Sequence, residues 1–235
     1  MQRPSLTHPP ARPAQRVEQC IVGGILDGTF PAGTPLPGER RLAQSIGVAR
    51  PLLRETLHRL ANEGWLTIAH GKPTRVNELW EQGGLGLLGT LSKYMDTLPT
   101  GFMLHVMEAI CRLMPVIAGL AAARAPKALS TYLESILDLD DSAQSFVDFD
   151  WRLQRFMAAK TNNPVYIFIF NDIADIYTVQ AAKFFLRHEA REASLKYYQE
   201  LAAVIHSGKL QVEAVVSEAM GYRMEIWQRL EADQA

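Results

Sequence analysis

The sequence predicts a mainly α-helical chain in two parts: a small helical unit closed by a β-ribbon, then a larger all-α bundle. Three observations carry that prediction. Residues 37–77, PGERRLAQSIGVARPLLRETLHRLANEGWLTIAHGKPTRVN, read as two short helices around a glycine turn, followed by two β-runs around a second glycine. From about residue 101 onward, apolar residues recur at helical spacing almost without a break. Strands nowhere alternate with helices in the βαβ manner, and no repeat of fixed period occurs.

Taken in order, residues 1–13 hold four prolines and no periodicity, which predicts a disordered arm. Val17, Cys20, Ile21 and Ile25 recur at helical spacing and predict a first helix ending near Gly28. Phe30-Pro31-Ala32-Gly33 and Pro35-Leu36-Pro37 make a rigid connection. Glu39 to Ile46 predicts a short helix with Leu42 and Ile46 inward, and Gly47 supplies the turn because positive φ costs glycine little. Arg50 to Asn62 is the next helix. Its Leu53, Leu57 and Leu60 form one apolar stripe, and Pro51 sits early, where a missing N–H costs nothing. Gly64 ends it. Trp65-Leu66-Thr67-Ile68 and Thr74-Arg75-Val76 read as paired strands joined by Ala69-His70-Gly71-Lys72-Pro73. Three helices and a two-stranded ribbon make a winged helix-turn-helix, expected over residues 14–79.

A linker helix is expected near Leu85 to Tyr94, within residues 80–100, with Pro99 and Gly101 ending it. Beyond it, Val106, Ile110, Leu113, Ile117 and Leu120 hold an i, i+4, i+7 stripe. Leu129, Leu133, Ile136 and Leu137 mark a second helix, and Phe146, Phe149, Leu153 and Phe156 a third. After Asn162-Asn163-Pro164, a helix from about Val165 to Leu186 is apolar on most faces early on, which predicts a central or interface position. Tyr198, Leu201 and Ile205, then Val212, Val216, Ala219 and Trp227, mark two more. Residues 101–235 are thus expected to form a bundle of six or seven helices.

Composition narrows the function classes. The 235 residues suit one large or two small domains, and 48% hydrophobic content supplies a core. A net charge of -1 hides an asymmetry, with about ten Lys and Arg against about six Asp and Glu up to Trp80, and an acidic excess of about five after it. Such a split suggests an anion-binding N-terminal unit. Cys20 and Cys111 lie far apart in apolar helical patterns, as reduced thiols of a cytoplasmic protein do. No secretory segment opens the chain, and the longest dense apolar run, Val165 to Phe170, is too short for a bilayer, so no membrane partner is expected. There is no nucleophile elbow, no P-loop and no GxGxxG after a strand, which argues against an enzyme and against a bound cofactor.

The candidate functional residues are basic. Arg40 opens the second helix, and Arg50 and Arg54 occupy the first turns of the third, four apart and away from the leucine stripe. A recognition helix reads base edges with its N-terminal residues, and arginine is the usual bidentate partner of guanine. His70-Gly71-Lys72 at the ribbon tip suits a minor groove, with glycine allowing close backbone approach. For any single arginine a solvated helix face is the plain alternative; the turn, the ribbon and the set together favour double-stranded DNA. Trp65 reads as core that anchors the ribbon, and His58 as structural or phosphate-facing.

The stretch PGERRLAQSIGVARPLLRETLHRLANEG resembles the DNA-binding domain of the GntR family of bacterial repressors. GWLTIAHGKPTRVNELWEQGGLGLLGTL carries the match toward the branch that regulates fatty acid metabolism, and DFDWRLQRFMAAKTNNPVY and MEIWQRL still fit it farther on. The resemblance implies that Arg40, Arg50, Arg54, His70 and Gly71 contact operator DNA. It also implies a homodimer on a palindromic site and a helical effector domain, whose ligand in that branch is a long-chain acyl-CoA that releases the protein from DNA. There are departures. Ala49, Pro51 and Leu52 stand where that branch carries small hydroxyl residues. Many family members hold a metal with an Asp and three His; here Asp150 matches the Asp, while Gln154, Tyr198 and Arg223 fall at the His positions, so no metal is expected. An arginine expected on the first long effector helix is Ile110, with Arg112 two residues on. Tyr177, Arg223 and Trp227 are candidate effector residues, Arg223 for a CoA phosphate, the other two as pocket wall or core. Phe146, Phe149, Phe156, Phe168, Phe170, Phe184 and Phe185 offer an apolar channel for an acyl chain. A smaller carboxylate effector and a degenerate pocket are the alternatives.

Overall fold

The structure, a computed structural model, describes residues 12–208 and 211–233. It divides into two compact units, Met1–Leu98 and Pro99–Ala235. The Pro-rich arm expected over 1–13 lies outside the described residues as far as residue 11. Its last proline, Pro13, is the first residue of α1 (Pro13–Leu26), where proline has no N–H to waste.

The first unit continues with α2 (Glu39–Ile46), α3 (Arg50–Glu63), β1 (Leu66–Thr67) and β2 (Arg75–Val76). Its core is made by Val17, Ile21 and Val22 of α1, Leu42 and Ala43 of α2, and Leu53, Leu57 and Leu60 of α3, with Trp65 beneath the ribbon. Ile46, expected inward, is only half-buried; Ala43 takes the inner place beside Leu42. Gly47 closes the α2–α3 turn at φ 72°, ψ 43°, with its N–H and that of Val48 both donating to the Ala43 carbonyl at 3.0 Å. No atom lies within 4 Å of the place a Cβ would take there. Gly47→Ala is therefore expected to destabilise the unit through backbone strain alone, by about 1–2 kcal/mol, read from the urea midpoint at unchanged m-value.

The β-ribbon has a third edge that the sequence reading took for a plain connection. Leu66 pairs with Val76 and Thr67 with Arg75, antiparallel. On the other side of β2, Pro35 forms a bridge with Arg75. Leu36 N–H donates to Thr74 at 2.8 Å and Val76 N–H to Thr34 at 3.0 Å. Proline tolerates this edge because its missing N–H faces away from the ladder.

The linker also differs from the single helix expected over 85–94. Two short helices, α4 (Leu79–Gln82) and α5 (Leu87–Leu91), are followed by a 3-10 turn at Met95–Thr97. Gly83, Gly84 and Gly86 interrupt the helical path between them. Leu87 and Leu91 are buried. Lys93 Nζ reaches Glu18 of α1 at 2.9 Å, and Thr90 Oγ1 donates to Glu63 of α3 at 2.6 Å. Arg59 of α3 binds both Glu18 and Glu63, so four charged groups and a hydroxyl tie the linker to α1 and α3.

The second unit contains six α-helices among the described residues: α6 (Phe102–Arg124), α7 (Pro126–Glu134), α8 (Ala143–Lys160), α9 (Pro164–Phe185), α10 (His188–Ser207) and α11 (Val212–Ala232). α6 packs against α8 and α11, α8 against α9, and α10 against α7 and α11. The inner face of α6 is Met107, Ile110, Met114, Ile117, Ala118 and Ala121. Val106, Leu113 and Leu120, expected inward with Ile110 and Ile117, lie on its half-buried flanks. α6 is also long and apolar enough by composition to cross a bilayer, with a mean hydropathy of 1.7 over its best window. Glu108 and Arg112 divide it, but residues 113–123 run on without a charge, longer than Val165 to Phe170, the run the sequence reading took as the longest. Early α9 is not apolar on all sides toward the core either. Val165 and Phe168 point outward, 54% and 60% exposed, while Phe170, Ile173 and Ile176 face in. Phe168 thus contributes nothing to an internal apolar channel.

Candidate functional site

The basic surface of the first unit is built by α2, α3 and the ribbon tip. Arg50 is the first residue of α3 and Arg54 lies one turn on. Both side chains are more than half exposed. No side chain caps the N-terminus of α3, whose N-cap is Ala49, so its positive end faces outward without a partner side chain. Arg40 is exposed beside them at the start of α2. Glu39, the first residue of α2, accepts from Arg54 Nε at 2.5 Å and lies 3.8 Å from Arg50 Nη2. At the ribbon tip His70, Gly71 and Lys72 are all exposed; Gly71 has φ 70°, and Lys72 N–H closes the turn onto Ala69 at 3.1 Å. Trp65, 1% exposed, is core. His58 is exposed on α3, whereas Arg59 is turned back to Glu18 and Glu63. The sequence reading missed Glu39 because it lies 15 residues from its partner Arg54, outside any helical spacing rule.

The second unit holds a buried polar cluster around Asp150 of α8, which is fully buried. Arg223 of α11 binds it with two parallel bonds, Nη1 to Oδ1 at 2.8 Å and Nη2 to Oδ2 at 2.9 Å. Tyr198 of α10 donates to Oδ1 at 2.7 Å, and Tyr177 of α9 donates to Oδ2. Gln154, one turn along α8, donates to Oδ2 at 2.6 Å. The Arg223 guanidinium also lies 5.2 Å from the Phe184 ring centre and 5.7 Å from that of Phe185. Burial alone would raise the Asp150 pKa. The charge and bonds of Arg223, with those of Tyr177 and Tyr198, outweigh burial and hold the carboxyl below its ordinary 3.8. Burial first, then the Asp150 charge, pushes the phenols of Tyr177 and Tyr198 well above their ordinary value, so they stay protonated and donate to the carboxylate; Tyr177 also accepts from Gln154 Nε2 at 2.6 Å.

A divalent cation does not suit these residues. Asp150 is the single carboxylate, both of its oxygens already face a guanidinium cation, and Gln154 and Tyr198 offer no imidazole. The cluster therefore carries its own cation.

Surface grooves flank α11 among the described residues, and the roomiest two differ in charge. One, of about 720 Å³ between α6 and α11, is lined by Leu104, Met220 and Met224, with Cys111 in its wall and His105, Arg112 and Glu108 at hand. Burial pushes the Cys111 thiol up to about 11, so it stays protonated. Arg112 is largely exposed and lies 3.4 Å from Glu108; Ile110, in the place of the expected arginine, faces the core at 7% exposure. The other groove, of about 660 Å³ between α10 and α11, has Glu189, Glu192, Glu200, Glu218 and Glu225 against a single lysine, Lys196, in its lining, an acidic excess that opposes an anionic ligand. Tyr177, Arg223 and Trp227 line neither. Tyr177 and Arg223 face Asp150, and Trp227, 8% exposed, stacks on Phe184 with ring centres 4.9 Å apart.

Comparison with known proteins agrees with both units. Residues 13–76 match the family model of bacterial regulatory proteins of the gntR family, and residues 77–234 match the FadR C-terminal domain. A fatty acid metabolism regulator protein of Klebsiella pneumoniae is 36% identical over 221 residues, covering 93% of this chain and 92% of its own. One from Shewanella halifaxensis is 38% identical over 192 residues, covering 80% and 79%. Among solved structures, Lar, which controls the expression of the Listeria monocytogenes agr system, shares the fold with a TM-score of 0.62 at 15% identity, over 94% of this chain and 99% of its own. The chain belongs to the GntR family of bacterial regulatory proteins, and within it to the members that carry the FadR C-terminal domain.

Proposed function

We propose that this protein is a cytoplasmic, homodimeric transcription regulator of fatty acid metabolism, whose hold on operator DNA is released by long-chain acyl-CoA. The observation that carries the reading is the pair Arg50 and Arg54, exposed side by side on the first turns of α3 next to an exposed glycine-centred ribbon tip. In it, residues 14–79 read DNA, 80–100 link, and 101–235 bind the effector. Arg50 and Arg54 reach base edges from α3. Arg40 and Lys72 neutralise phosphates, and His70 and Gly71 approach the minor groove. The fatty acid metabolism regulators among the relatives support the effector class.

The α6–α11 groove is the better-suited entrance for acyl-CoA. Its Leu104, Met220 and Met224 offer apolar contact, and Arg112 and His105 offer donors to phosphate. An occupant that shifts α6 would act on the linker that precedes it. Two readers must sit about one helical turn apart, roughly 34 Å, to enter successive major grooves. Because coupling is reciprocal, effector and DNA must weaken each other.

One observation favours a second reading, a FadR-type regulator with a different small carboxylate or a degenerate pocket. Arg223, the residue expected to meet a CoA phosphate, has its guanidinium committed to Asp150. A fluorescence-anisotropy titration of a labelled palindromic FadR-type operator, alone and with oleoyl-CoA or free CoA, separates the two. Nanomolar-range binding reversed by oleoyl-CoA alone is the expected result. Tight binding that neither ligand changes would leave the second reading.

A further inference from the structure

We propose that Glu39 is a specificity-determining residue of the DNA reader, a carboxylate that holds Arg50 and Arg54 back from phosphates and yields them to the cognate site. The inference rests on the reading of α3 as the recognition helix. In the free protein Glu39 binds Arg54 through Nε at 2.5 Å and stands 3.8 Å from Arg50. Its side chain is one-third exposed, so solvent and DNA reach it. It stands at the start of α2, next in the chain to Arg40 and Arg41 and against the first turns of α3 that carry Arg50 and Arg54.

An anion at that place acts differently on random and cognate DNA. Any phosphate that takes Arg50 or Arg54 must replace a carboxylate already bound there, and Glu39 repels the phosphate as it approaches. For random DNA the exchange swaps one charge-assisted bond for another and gains little. At a cognate site the arginines also gain bidentate bonds to a base edge, which random sequence does not offer in register. Glu39 therefore weakens non-specific binding more than specific binding, and widens the ratio between them.

The test is Glu39→Gln, which keeps the shape and an acceptor oxygen and removes the charge. Cognate and random duplexes are titrated against wild type and variant over a salt series, and a thermal melt checks the fold. Random DNA is expected to bind several-fold more tightly to the variant, with a log–log salt slope steeper by about one phosphate contact. Cognate affinity should change less, so the specificity ratio falls. Arg54→Gln in the Glu39→Gln background should return random-DNA binding toward wild type. Equal changes on both duplexes, or no change on either, would overturn the role given to Glu39. A wild-type protein without preference for the cognate duplex would instead remove the DNA-reading assignment beneath it.

Discussion

Arg223→Ala is expected to destabilise the second unit by about 3–5 kcal/mol, the cost of stranding a buried charge. Asp150 is fully buried, and among the described residues Arg223 supplies the opposite charge on its two oxygens, at 2.8 and 2.9 Å. Without Arg223 the bonds from Tyr198, Tyr177 and Gln154 remain, but they are neutral and cannot offset desolvation of a carboxylate. The loss depends on pH in a defined direction. In the wild type the folded carboxyl binds its proton more weakly than the unfolded chain does, so its contribution is complete above the ordinary aspartate value of 3.8 and is lost as pH falls through the lower, folded value. In the variant, burial acts unopposed by the guanidinium and favours the protonated carboxyl. The stability gap between the two proteins should therefore narrow as pH is lowered from neutral toward 4. Removing the charge as well, in Asp150→Asn with Arg223→Met, should recover much of the loss. Urea unfolding of all three proteins across that range reads it, and a small, pH-independent difference would contradict the buried pair.

Arg50→Ala should cost about 1–3 kcal/mol on the cognate operator, roughly a five- to 150-fold loss of affinity. Arg50 begins α3 with an exposed side chain, where a recognition helix meets base edges. A truncated side chain leaves a base edge unread, so discrimination between operator and point-mutated operator should relax at one position. Competition titrations with singly substituted duplexes measure that directly. The outcome that would move Arg50 to a phosphate is a uniform loss on cognate and random DNA. The fold should be unaffected, because the Arg50 side chain is more than half exposed and its ion pair with Glu39 at 3.8 Å is weak.

Much of the fold was legible because it rests on local rules. The glycines at 47 and 64 end α2 and α3 in the left-handed region, where other residues are strained, and their positions show in the sequence. Leu53, Leu57 and Leu60 turn inward because helical spacing puts them on one face. The linker was less legible. A window of apolar residues over 85–94 suggests one helix, but the glycines at 83, 84 and 86 and contacts with Glu18 and Glu63 decide its path. The inner face of α6 was shifted for a similar reason: Ala118 and Ala121 are small and periodic patterns weigh them lightly, yet they lie in its packed face with the methionines.

By itself the sequence determined the mainly helical class, the helix-turn-helix unit with its ribbon, and the family. Helix period, turn chemistry and motif spacing act within a few residues of chain. Only the tertiary structure decided which charges meet. Asp150 and Arg223 are 73 residues apart, and Glu39 and Arg54 are 15 apart on different helices. No spacing rule joins such residues. Their pairing follows from helix packing, which places α11 against the bundle and α2 beside α3, and from the cost of leaving a buried carboxylate without an opposite charge.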